Sequence, residues 1–138
     1  MMKDQIEELY KSQTGYPDQT IEVLPDLATA IVTTGGAAWT MSAAFGTLLL
    51  AAANTKRRKI VAIVPTAPSI LENYIIGIYL DTVLVASVPV AVETLVGALS
   101  PIILPKPIFV EANVLIQVKS ATASGADTIG TKLICVPA

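Results

Sequence analysis

The stretch Asn73-Tyr74-Ile75-Ile76-Gly77-Ile78-Tyr79-Leu80 decides the fold class. Tyr74, Ile76, Ile78 and Leu80 alternate with Ile75, Gly77, Tyr79 and Asp81, the period of two that puts one residue set on each face of a β-strand. Val114, Ile116 and Val118 alternate in the same way with Leu115, Gln117 and Lys119, as in a sheet with one buried face. Working outward from these runs, Val, Ile and Thr dominate from Leu27 onward, and turn residues recur every ~8–12 positions, the spacing of a sandwich or barrel.

Ten segments read as strands: Thr20–Leu24, Leu27–Thr33, Ala38–Ser42, Gly46–Ala52, Lys59–Pro65, Asn73–Leu80, Val83–Val88, Ile108–Glu111, Val114–Ser120 and Thr128–Val136. The loop Ser120 to Asp127, with its Gly and Asp, reads as the turn of a hairpin joining the last two strands. Gly35-Gly36 marks a break between strands. Nine prolines disfavour long helices and suit strand ends and edges, with Pro101, Pro105 and Pro107 grouped near one edge. Val90–Leu99 carries Val92, Leu95, Val96 and Leu99 at helical spacing, so a short helix or a further strand is expected there. The expected fold is therefore an all-β, jelly-roll-like sandwich over residues 27–138.

Residues 1–26 differ in kind. They hold six of the eleven acidic residues: Asp4, Glu7, Glu8, Asp18, Glu22 and Asp26. Asp4 to Ser12 can form a short helix presenting Ile6, Leu9 and Tyr10 on one side, ended by Thr14-Gly15-Tyr16-Pro17. So short an amphipathic helix is marginal alone in water and needs a surface. The segment reads as an arm that docks either on its own domain or on a neighbouring subunit. Lys3, Asp4, Glu7 and Glu8 do not make a secretory signal, so the chain is expected to stay in the compartment where it is made.

Composition narrows the function. Hydrophobic residues make up 53% of the 138-residue chain and charged residues only 14%, against ~25% in a typical soluble domain. Such a surface implies burial against other chains or a membrane. The uncharged stretch Leu27–Thr55, followed by Lys56-Arg57-Arg58-Lys59, resembles a span with a positive flank. Thr29, Thr33, Thr34, Gly35, Gly36, Thr40, Ser42 and Gly46 interrupt it, however, and buried strands account for it better. The basic run is expected to be a solvated turn between strands. A net charge of −2 and one short basic run without interleaved aromatics give no footprint for nucleic acid.

Chemistry finds little support. There is no histidine, the commonest general base and metal ligand, and no phosphate-cradling glycine pattern. Glu72, Asp81, Glu93, Glu111 and Asp127 show no catalytic spacing and read as strand ends. The single cysteine, Cys135, reads as a small apolar residue of the last strand. No catalytic residue, cofactor, metal or small-molecule substrate is expected. Trp39, beside Met41 and Phe45, reads as a core or interface anchor, or alternatively as part of a sugar-stacking platform.

The order of segments resembles that of small β-sandwich virion proteins of tailed bacteriophages. The motifs are Gly35-Gly36-Ala37-Ala38-Trp39-Thr40, then Pro65-Thr66-Ala67-Pro68-Ser69, and then Asn73 to Ile78. Leu104-Pro105-Lys106-Pro107-Ile108-Phe109-Val110, Asn113 to Val118, and Ser120 to Thr128 complete the series. The resemblance covers residues 34–136. It departs at Glu111-Ala112-Asn113, where such relatives carry Gly or Ala-Gly. It implies a capsid decoration or cement role, assembled in the host cytoplasm and located in the virion. The implied partners are the major capsid protein or other virion proteins, with self-association as a homo-oligomer such as a trimer. Contact residues expected from position are Ile6, Leu9 and Tyr10 in the arm, Trp39 as an anchor, and Arg57 and Arg58 as a polar rim. The alternative is a carbohydrate- or receptor-binding module of a tail or fibre, and a small membrane protein is the third reading.

Overall fold

The computed structural model describes Ile6 and residues 21–25, 30–92 and 101–138. Nine strands run through them: β1 (Glu22–Leu24), β2 (Ala30–Thr33), β3 (Gly46–Leu49), β4 (Arg58–Thr66), β5 (Asn73–Leu80), β6 (Val83–Ala91), β7 (Ile102–Val110), β8 (Ile116–Thr122) and β9 (Thr128–Pro137). One sheet has the order β1-β9-β4-β7, with β2 also on β9, and the other has the order β3-β8-β5-β6. All pairings are antiparallel. β1 and β2 share one edge of β9: β1 faces Leu133–Cys135, and β2 faces Thr128–Thr131. With β1 set aside, this alternation of strands between two four-stranded layers is the jelly-roll arrangement.

The alternation in β5 holds: Tyr74, Ile76 and Ile78 are buried in the inter-sheet core with Ile116 and Val118 of β8. From the opposite sheet, Ile60, Ile63, Ile129, Leu133 and Cys135 complete the same core. A bulge on β4 keeps this packing in phase. Ile60 pairs with Cys135 and Ala62 with Ile134, so Val61 is the extra residue. The bulge returns Ile63 to the inner face three residues after Ile60, which strict alternation forbids. Ala62 and Val64 turn to the outer face, where they join Val23, Ile134 and Ile6 in a second apolar cluster.

Several sequence expectations are corrected here. The last two strands do not form a hairpin: β8 and β9 lie in different sheets. Residues 123–127 reach up to ~16 Å when extended, enough to cross the ~10 Å between sheets. Small-residue turn chemistry does not reveal which partner a strand takes. Ala38–Ser42 is not a strand but part of the β2–β3 loop, since Trp39 has a positive φ of 56° that breaks an extended run. The segment expected at Ile108–Glu111 is the end of a longer strand, β7, while the strand expected to reach Ala52 stops at Leu49 before a 3-10 turn at Ala51–Ala53. The strand expected at Thr20–Leu24 is present as β1, so this end of the arm segment belongs to the sheet through its pairing with β9.

Prolines fall where their missing N–H does least harm. β7 is an edge strand, and it leaves the ladder between Ile103 and Ile108, where Val61 alone stands opposite Leu104-Pro105-Lys106-Pro107. β6 is the facing edge of the other sheet; Pro89 pairs with Ile75, and its nitrogen, having no hydrogen to donate, suits the open side. Among the described residues no helix is long and apolar enough to cross a membrane. The helix expected over Asp4–Ser12 lies outside the described residues except for Ile6, which is helical and fully buried, and residues 93–99 of the Val90–Leu99 segment also lie outside them.

Candidate interaction surfaces

β6 and β7, each an edge strand of its own sheet, face each other across an open groove of about 650 Å³. Val85 to Pro89 line one wall and Ile102 to Ile108 the other. Among the described residues, Lys106 is the sole charged one in these walls. Val83, Leu84 and Val85 on β6 and Ile103 and Phe109 on β7 are large exposed apolar side chains on the same two strands. Unprotected edges of this kind promote association, and charge or proline usually blunts them. Here Pro89, Pro105 and Pro107 remove donors while β6 carries no charge at all. The edges therefore resist ladder extension yet remain able to bury apolar side chains.

The loops joining β2–β3 and β4–β5 carry a second exposed set: Trp39 at 50% exposure, with Ile70 and Leu71. The Trp39 turn is held firmly. Trp39 N–H donates to the Thr122 carbonyl at 2.7 Å, Gly35 N–H to the Thr40 carbonyl at 2.9 Å, and Ala126 N–H to the Gly35 carbonyl at 2.8 Å. Gly35 is required because a Cβ there would stand 2.4 Å from the Thr40 carbonyl oxygen. Gly125, at φ +82°, lets the β8–β9 loop approach the Gly36 and Ala37 backbone. Trp39 is thus not a core residue, and the structure places it as an exposed knob on a braced turn.

The remaining candidate residues separate. Ile6 is fully buried on the chain's own outer cluster, and Leu9 and Tyr10 lie outside the described residues. Arg57 is exposed and pairs with exposed Glu111 at 3.0 Å. Arg58 is not a rim residue: it is buried at the start of β4, ion-paired with Glu22 and donating to Asn54 Oδ1 at 3.1 Å. The run Lys56–Lys59 is therefore a solvated turn only in its first half. A guanidinium placed in a strand beside a carboxylate on its neighbour is spent within the fold. Asn54, fully buried, also donates from Nδ2 to the carbonyls of Glu111 (3.1 Å) and Val114 (2.9 Å).

Cys135 sits in β9 facing the core, as expected, and burial pushes its thiol up to about 12, with Glu22 adding to the rise and Arg58 opposing it. Tyr79 and Phe45 meet edge to face at 5.1 Å, and Lys119 Nζ lies 4.3 Å from the Phe45 ring centre. Reading the sequence did not anticipate this cluster, because Phe45 and Tyr79 are far apart in the chain and meet only through the fold. The groove was partly signalled by the uncharged β6 run and by the grouped prolines. No group of three or more potential metal ligands occurs among the described residues. No family model, curated protein or solved structure matches this chain.

Proposed function

We propose that this chain is a structural virion protein that binds and stabilises a phage capsid by non-covalent packing, as a decoration or cement protein. The observation that carries the reading is the groove between β6 and β7. Its walls are apolar apart from Ser87 and Lys106, with Val85 and Ile103 exposed, and Val83, Leu84 and Phe109 extend the exposed apolar surface on the same two strands. Apolar surface of this kind is characteristic of permanent assemblies, whose interfaces resemble a core cut in two. Jelly-roll sandwiches serve in capsids, but also in lectins and cupins, so fold alone is an analogy. The low charge of the chain and the order of its sequence motifs favour the first. The partners on this reading are the major capsid protein or other virion proteins, and the protein resides in the particle.

The test is the stoichiometry of this chain against the major shell protein in purified particles. A ratio commensurate with the shell lattice is the expected result. Complete absence from particles refutes the reading, and a trace amount moves the protein to a tail or fibre.

The second reading, a carbohydrate- or receptor-binding module, draws on the Phe45–Tyr79–Lys119 cluster. Aromatic faces beside polar groups can stack sugars, and Gln117 and Thr47 lie on neighbouring strands, hydrogen-bonded at 3.1 Å. Glycan binding by the folded protein that is lost in Tyr79→Ala would favour it.

A further inference from the structure

The chain carries both a knob and a socket. We propose that the Trp39 turn of one copy seats in the β6–β7 groove of a second copy, giving a head-to-tail homo-oligomer. This rests on reading the groove as a packing surface and names its occupant.

Three properties of the groove select the occupant. Pro89, Pro105 and Pro107 deprive its edges of backbone donors, so a partner enters by side chains rather than as an added strand. Its volume, about 650 Å³, and its apolar walls suit a large hydrophobic group. Lys106, the sole charge among the described residues of the walls, has no acidic counterpart among them and favours the face of an aromatic ring, indole above all.

The Trp39 turn matches each property. Residues 35–40 of the turn carry no charge, so the indole and its own turn bring no ion into the apolar groove. The indole is half exposed, and the left-handed backbone at Trp39 is held by its bond to the Thr122 carbonyl. Little side-chain or loop entropy is then lost on docking. Anchors of protein interfaces are typically tryptophans entering a pocket on the partner. Because knob and socket are different patches of one chain, the contact is heterologous and propagates from copy to copy.

Trp39 is the single tryptophan, so its fluorescence reports this contact alone. The full chain is examined by light scattering and by emission across serial dilution. The expected result is a concentration-dependent mass whose rise parallels a blue shift of the emission. Trp39→Ala and, separately, Lys106→Glu or Ile103→Asp should remain folded and weaken association by roughly 30-fold or more, which is ~2 kcal/mol at 1.4 kcal/mol per decade. Mixing Trp39→Ala with Ile103→Asp should restore a species of twice the monomer mass, because one intact knob meets one intact groove. A parent that stays monomeric at every concentration overturns the proposal, as does association that survives Trp39→Ala. Particle binding by such a monomer would leave the capsid reading standing, so the two failures are distinguishable.

Discussion

Replacing Asn54 by alanine tests whether a buried polar hub fastens the loop before β4 to the β7–β8 loop. The side chain is fully buried and makes three hydrogen bonds: two from Nδ2 to the carbonyls of Glu111 and Val114, and one accepted from Arg58 Nη2. Each such bond is worth ~1 kcal/mol net, and more where the partner is charged or is left buried without a substitute. Alanine leaves two carbonyls and one guanidinium N–H without this partner. The expected loss is therefore about 3–4 kcal/mol, a large part of the 5–15 kcal/mol that stabilises a domain. At about 4 °C per kcal/mol for a chain of this length, the melting temperature should fall by about 12–16 °C. Urea titration followed by circular dichroism should show a lower midpoint with an unchanged slope. A double variant with Arg58→Met should lose less than the sum of the two single changes, because the two residues share a bond. A loss below about 1 kcal/mol, or strict additivity with Arg58→Met, would refute the reasoning.

Three further outcomes follow from the same geometry. Arg57→Ala, which breaks the exposed pair with Glu111, should change stability by less than about 0.5 kcal/mol in the same titration. Ile6→Ala should cost about 2–4 kcal/mol, because it opens a cavity over Val23, Ala62, Val64 and Ile134; deletion of residues 1–16 should likewise destabilise the sandwich rather than leave it intact. Cys135 should resist thiol reagents in the native protein at pH 8 and react once unfolded. Its folded pKa is raised, so the stability it contributes is complete below the ordinary thiol value of 9.0 and is lost as pH rises from there towards about 12. Urea midpoints should then decline over that window in the parent and less steeply in Cys135→Ala.

What the sequence determined by itself was local. The period of two in Asn73–Leu80 and Ile116–Val118 follows from pleat geometry, and the buried sets found there are the alternating ones. The grouping of Pro101, Pro105 and Pro107 announced an edge, since a residue without an N–H has no donor to give a ladder and is best tolerated on an open side, and β7 is that edge. Cys135 as an apolar core residue was legible from its setting in a Val/Ile-rich run. The choice of strand partners was left to tertiary structure. The 123–127 loop has the chemistry of a hairpin turn and yet carries the chain between sheets, because turn residues specify a reversal and not the neighbour. The same limit hid the burial of Arg58: its carboxylate partner lies on β1, far away in the chain, and only the shared neighbour β9 brings β1 and β4 together. The groove is likewise a property of two edges from different sheets. Its walls are ordinary strands in sequence, and they become a surface only when the two sheets pack and set β6 beside β7.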